Sequence, residues 1–161
     1  LENSFRLKEI CDSAEIPFIV NDAVDVAALI NSYGVHLGQS DLPIDYAREI
    51  LSSEQIVGLS NDGIEQAKES EFKGSDYAAV GAIYSTSSLG KSNRLPVGLK
   101  NLEEITKQII IPVVAIGGIT EGNLGDVRET GVASACIVSD ITLSNSPEDK
   151  VKRLTKIWFD N

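Results

Sequence analysis

The 161 residues carry a formal charge of −10, with 42% hydrophobic and 24% charged side chains, ordinary proportions for one globular domain with its own core. The acidic balance and the lack of a basic cluster argue against a nucleic-acid or anionic-membrane surface. No apolar run approaches the roughly 20 residues that a bilayer-spanning helix needs.

The chain opens Leu1-Glu2-Asn3-Ser4 and contains no methionine. It starts inside a helical pattern in which Phe5, Leu7, Ile10, Cys11 and Ala14 recur at helical spacing, so the natural sequence is expected to continue upstream. Short apolar runs then predict strands over residues 18–20, 35–37, 56–59, 77–83, 112–116 and 135–138, without strict alternation, as for strands buried on both faces. Amphipathic segments lie between and after them. Ile44, Ala47, Ile50 and Leu51 mark one, and Leu102, Ile105 and Ile109 another. Leu124 and Val127 mark a shorter one, and Val151, Leu154, Ile157 and Trp158 line the last. Gly34, Gly74 and Gly131 each precede a strand, where a left-handed helix cap favours glycine. Cys11 and Cys136 fit no metal or redox spacing and are expected as small reduced core residues of a cytoplasmic protein.

This alternation predicts a parallel α/β fold. An open dinucleotide-binding sheet would carry Gly-x-Gly-x-x-Gly after an early strand, and the sequence has none. Instead Ile116-Gly117-Gly118-Ile119 follows the penultimate run and Val138-Ser139-Asp140 the last, where (β/α)8 TIM barrels commonly hold a phosphate. The expectation is a single TIM-barrel domain over residues 1–161, lacking the first strand-helix-strand unit and so incomplete at the amino end. Its open edges invite aggregation or pairing with another chain, which leaves a homo-oligomer open.

Two runs point to chemistry. Val20-Asn21-Asp22 and His36-Leu37-Gly38-Gln39-Ser40-Asp41-Leu42-Pro43 each place an aspartate after a strand, at the end where parallel α/β folds bind ligands. Either aspartate alone is readily explained as a helix cap. As a pair on neighbouring strands, Asp22 and Asp41 suit Mg²⁺ shared with a phosphorylated substrate. Gly117 and Gly118 serve either as a tight turn or as a backbone anion cradle. The hydroxyl-rich Tyr84-Ser85-Thr86-Ser87-Ser88-Leu89-Gly90-Lys91 is either a solvated turn or a phosphate clamp. Ser60 sits on the same rim without an adjacent histidine, which disfavours a serine nucleophile. His36, the only histidine, fits a hydrogen-bonded core position and a ligand contact equally well.

In this order the motifs resemble the thiamine-phosphate synthase family, within the wider thiamine synthase and thiazole tautomerase superfamily. The resemblance runs from Ile16 through Asn21-Asp22, His36–Pro43, Gly58-Leu59-Ser60, the Thr86–Lys91 loop and Val114–Thr120 to Ile141. It implies a transferase that couples hydroxymethylpyrimidine diphosphate to thiazole phosphate, giving thiamine phosphate and pyrophosphate. By the same resemblance, Asp22 and Asp41 hold Mg²⁺, while Asn21 and Ser60 contact the pyrimidine diphosphate. Thr86, Ser87 and Ser88, with Gly118, Val138 and Ser139, hold the thiazole phosphate, and Lys91 joins Ser60 in the catalytic set. Small molecules are the expected partners.

The sequence departs from the family pattern in several places. The family's glutamine-x-arginine-x-lysine motif is not in this sequence. Ser85 stands where a proline is usual. Leu89 takes the lysine position, so Lys91 serves only with a two-residue insertion. Asn61-Asp62-Gly63 follows Ser60 where members often have a histidine. Two alternatives follow: a thiazole tautomerase-like isomerase, disfavoured by that missing histidine, and a catalytically incompetent phosphate-ligand-binding barrel.

Overall fold

The computed structural model describes residues 1–85 and 95–160. Six strands hydrogen-bond in sequence order, every neighbouring pair parallel. They are β1 (Ile19–Asn21), β2 (Gly34–Leu37), β3 (Ile56–Asn61), β4 (Tyr77–Gly81), β5 (Val113–Ile116) and β6 (Ser134–Cys136). The helices are α1 (Glu2–Ser13), α2 (Val24–Leu29), α3 (Ile44–Ile50), α4 (Ile64–Phe72), α5 (Gly98–Gln108), α6 (Leu124–Glu129), α7 (Ser139–Thr142) and α8 (Pro147–Phe159). A doubly wound sheet reverses its strand order at a switch point. This sheet never does, and it winds as a barrel winds.

Period-two alternation sorts the side chains. Val20, Val35, Leu37, Val57 and Leu59 pack outward with Val24, Ala27, Ile44 and Ala47 of α2 and α3. Ala78, Val80, Val113 and Ala115 do the same with Ala67, Leu102, Ile105, Leu124, Val127 and Leu154. The other face carries Asn21, His36, Gly58 and Tyr77 in one lateral row, and Ser60, Ala79, Val114 and Ser134 in the next. Gly81, Ile116 and Cys136 follow. This inner face carries the polar side chains Asn21, His36, Ser60, Tyr77 and Ser134, where the outer face is aliphatic.

Several expectations need correction. The strands are not equally buried on both faces: β6 alternates exposed, intermediate, exposed. Cys136 is therefore exposed on the inner face and Cys11 only partly covered, so neither is a core residue. Helix α1 forms where predicted but buries none of its residues. Gly74 (φ +80°) and Gly131 (φ +82°) adopt the left-handed conformation, whereas before β2 that role falls to Asn31 (φ +49°). Gly34 is required for a different reason, because a Cβ there would lie 2.2 Å from the Ile56 carbonyl oxygen. Among the described residues, no helix is long and apolar enough to cross a membrane.

Candidate active site

The carboxyl ends of β1 and β2 place the two aspartates. Asp22 adopts φ +65°, uncommon for a residue with a side chain. Its N–H donates to the His36 carbonyl (2.8 Å) and the Ala23 N–H reaches back to the Asn21 carbonyl (2.8 Å). The strand thus ends in a tight γ-type turn centred on Asp22, a strained arrangement of the kind that clusters at functional sites. Asp41 closes the next loop, its Oδ2 accepting the Gly38 N–H at 2.6 Å. The residues that cap α2 and α3 are Ala23 and Pro43, neither with a side-chain cap bond, so Asp41 braces its own loop instead of capping α3. Gln39, from the same loop, donates to the Ser60 carbonyl at 2.6 Å and ties the ends of β2 and β3 together.

Inside the sheet, three polar side chains form a chain. Tyr77 Oη lies 3.0 Å from His36 Nδ1, and His36 Nε2 lies 2.9 Å from Ser60 Oγ. The Tyr77 and His36 rings also stack, with centroids 5.6 Å apart. His36 is therefore held on both ring nitrogens, which decides between the two readings its sequence context left open. Burial lowers the imidazole pKa and outweighs the opposing pull of the Asp41 carboxylate. Burial thus favours the neutral ring, in which one nitrogen donates and the other accepts.

Burial also pushes the Tyr77 phenol up to about 12, with a smaller contribution from the charge of an ionised Cys136 thiolate. The native fold holds this proton more tightly than the unfolded chain does. Its contribution to stability is complete below pH 10 and is lost as pH rises towards 12. Ultraviolet titration of the four tyrosines is expected to show a component ionising near pH 12 that Tyr77→Phe removes. A Tyr77 phenolate formed at the ordinary value would contradict this packing.

At the ends of β5 and β6, Gly117 (φ +97°) and Gly118 (φ +69°) turn the chain over the Ala82–Ser85 segment. A Cβ at Gly118 would lie 2.7 Å from Tyr84 Cβ and 3.2 Å from the Ser85 carbonyl oxygen. Asn123 secures the turn, donating to the Gly118 carbonyl (3.0 Å) and accepting the Thr120 N–H (2.7 Å). Ser139 opens the single-turn α7, next to exposed Val138. Asp140 accepts the Glu121 N–H at 2.8 Å, and Lys150 of α8 bridges Glu121 (2.8 Å) and Asp140 (3.3 Å). Hydrogen bonds from Arg153, then Lys150, hold the Glu121 carboxyl below its usual pKa. These ties join the β5 and β6 loops to the last helix.

Ser60, Asn21, Asp22, Asp41, Gly118, Val138 and Ser139 thus all lie on or beside one rim of the sheet, at the carboxyl ends of β1, β2, β3, β5 and β6. Thr86, Ser87, Ser88 and Lys91 lie outside the described residues. Sequence reasoning missed Tyr77 and the Glu121–Asp140–Lys150 bridge. Tyr77 meets His36 through cross-strand register, which a single strand does not encode.

The family model described as thiamine monophosphate synthase matches residues 1–141. The thiamine-phosphate synthase of Clostridium acetobutylicum is 44% identical over 151 residues, covering 94% of this chain and 71% of that protein. That of Persephonella marina is 39% identical over 156 residues, covering 97% and 74%. Among solved structures, the thiamine phosphate pyrophosphorylase from Pyrococcus furiosus superposes with a TM-score of 0.89 at 34% identity, over 98% of this chain and 74% of that one. Sequence, strand order and rim geometry agree: the chain belongs to the thiamine monophosphate synthase family.

Proposed function

We propose that the protein is a thiamine-phosphate synthase, a single-domain transferase that joins hydroxymethylpyrimidine diphosphate to thiazole phosphate and releases pyrophosphate. The identity over nearly the whole chain carries this reading. The rim supports it, with acidic loops after β1 and β2 and a glycine turn after β5. Six parallel strands in unbroken order fit most of a (β/α)8 barrel. Two free cysteines suit a reducing cytoplasm.

Mg²⁺ fits the donor set at Asp22 and Asp41. Among the described residues, no three His, Cys, Asp or Glu side chains gather to cage a metal. Mg²⁺ does not require such a cage: one or two carboxylates with waters and substrate phosphates suffice. Asp41 commits one oxygen to Gly38, and a carboxylate has further lone pairs to offer. When bound, the ion would neutralise charge on the departing pyrophosphate.

The chain's own residues do the rest. In this reading, the pyrimidine methylene–oxygen bond breaks with its electron pair leaving on pyrophosphate, and the thiazole nitrogen then forms the new carbon–nitrogen bond. Ser60 donates its hydroxyl proton in a hydrogen bond to a diphosphate oxygen, Lys91 joins it in the catalytic set, and Asn21 orients the pyrimidine. Gly118, Val138 and Ser139, with Thr86, Ser87 and Ser88, hold the thiazole phosphate. The tautomerase alternative gains nothing from the residue after Ser60, because Asn61 is buried and accepts from Ser70 of α4 (2.6 Å).

Incubating the full-length protein with both substrates and Mg²⁺ is expected to yield thiamine phosphate and pyrophosphate in equal amounts, and EDTA to stop the reaction. No product under metal-replete conditions would overturn the assignment. Ser60→Ala is expected to lower kcat about 100-fold, the scale set by losing one preorganised donor to a developing anion. Steady-state kinetics with unchanged kcat would remove Ser60 from the site.

A further inference from the structure

Ser60 Oγ touches one other described side chain by hydrogen bond, the His36 Nε2, and His36 touches Tyr77. A neutral imidazole has one N–H and one bare nitrogen, so the three groups have only two possible polarities. In one, the Tyr77 O–H donates to Nδ1 and the Nε2–H donates to Ser60 Oγ. The Ser60 proton is then unspent and points onward. In the other, Ser60 donates to bare Nε2 and the Nδ1–H donates to Tyr77. Ser60 then presents only lone pairs, and a diphosphate oxygen placed against it is repelled.

We propose that Tyr77 is a positioning residue that selects the first polarity and, through His36, presents Ser60 as a hydrogen-bond donor to the leaving diphosphate. The proposal rests on the synthase reading for the identity of that anion. Three features of the structure make Tyr77 suited to the task. Its ring is locked in place, stacked on His36 and filling the space over Gly58, where an added Cβ would lie 1.9 Å from the ring carbon bearing the hydroxyl. Its phenol keeps its proton across the pH range in which enzymes work. It also reaches Nδ1, the ring nitrogen opposite the one that meets Ser60, so its effect on Ser60 passes through the imidazole. Fixing a tautomer through the far ring nitrogen is the role a carboxylate plays in a serine-protease triad, and a phenol does it here without adding charge beside an anionic ligand.

His36 is the only histidine, so nitrogen NMR of the imidazole reports this ring alone. The wild-type protein at neutral pH is expected to carry its proton on Nε2, with and without Mg²⁺ and inorganic pyrophosphate. Tyr77→Phe keeps the ring and its stacking, and is expected to give a mixture of tautomers. It should also lower kcat by roughly 10–100-fold, the scale for losing an orienting partner, with KM for thiazole phosphate unchanged. His36→Gln supplies an amide donor that has no tautomers. On that background Tyr77→Phe is expected to have no further effect, whereas a purely structural role would leave the two costs additive. An Nδ1–H tautomer in the wild type, or full kcat in Tyr77→Phe, overturns the proposal. Absence of turnover in the wild type would instead overturn the synthase reading, since the tautomer is read without turnover.

Discussion

Asp41→Ala is expected to lower kcat by about 1000-fold or more in saturating Mg²⁺, because a Lewis-acid contact to a departing phosphate is worth several kcal/mol and each 1.36 kcal/mol is tenfold. Two effects must be separated. The Asp41 carboxylate also braces the β2 loop through the Gly38 N–H at 2.6 Å, and losing that bond costs roughly 1 kcal/mol of stability. Asp41→Asn separates them, since the amide oxygen can still accept from Gly38 while the charge is gone. The asparagine variant should melt close to wild type and still lose nearly all turnover. Raising the Mg²⁺ concentration should recover part of the activity, as expected for a weakened metal site. An asparagine variant that turns over normally in metal-buffered assays would remove Asp41 from the proposed metal site.

Gly117→Ala should damage the fold itself. The backbone there sits at φ +97°, where a side chain costs roughly 1–2 kcal/mol. The new Cβ would also lie 2.5 Å from Ala82 Cβ and 2.6 Å from Ala82 Cα. Relieving such a clash with backbone typically costs about 1–3 kcal/mol more. The sum, roughly 2–5 kcal/mol, is a large share of the 5–15 kcal/mol that holds a domain together. Urea unfolding should show it as a lower midpoint. Gly125 of α6 is the control: a Cβ there meets nothing within 4 Å, and Gly125→Ala should stabilise by up to about 1 kcal/mol. Equal midpoints for the two variants would show that the β5 turn is looser than its packing implies.

The strand positions were legible because each strand sends aliphatic side chains outward, as Val35 and Leu37 do. That signal survives without an alignment. The inner face was not legible. Gly34 looks like a cap signal in sequence, yet it lies in a strand, and like Gly58 and Gly81 it is required by a neighbouring strand's atoms. The sequence placed Asp22 and Asp41 at strand ends, since polar residues after apolar runs mark those ends in any parallel α/β chain. The γ-type turn at Asp22 and the reach of Asp41 back to Gly38 were not legible, because they depend on local backbone angles. The ambiguity of His36 had the same origin. Its partners Tyr77 and Ser60 are 41 and 24 residues away, and only register across β2, β3 and β4 brings them together.

Gly58 contributes by what it lacks. The aromatic ring of Tyr77 occupies the volume that any larger residue at position 58 would claim, so the two sites are sterically coupled. Divergent members of this lineage should tolerate bulk at 58 only where the residue at 77 has shrunk in step, and the imidazole support would vanish in the same event. A lineage that took that route would have to orient its serine by other means.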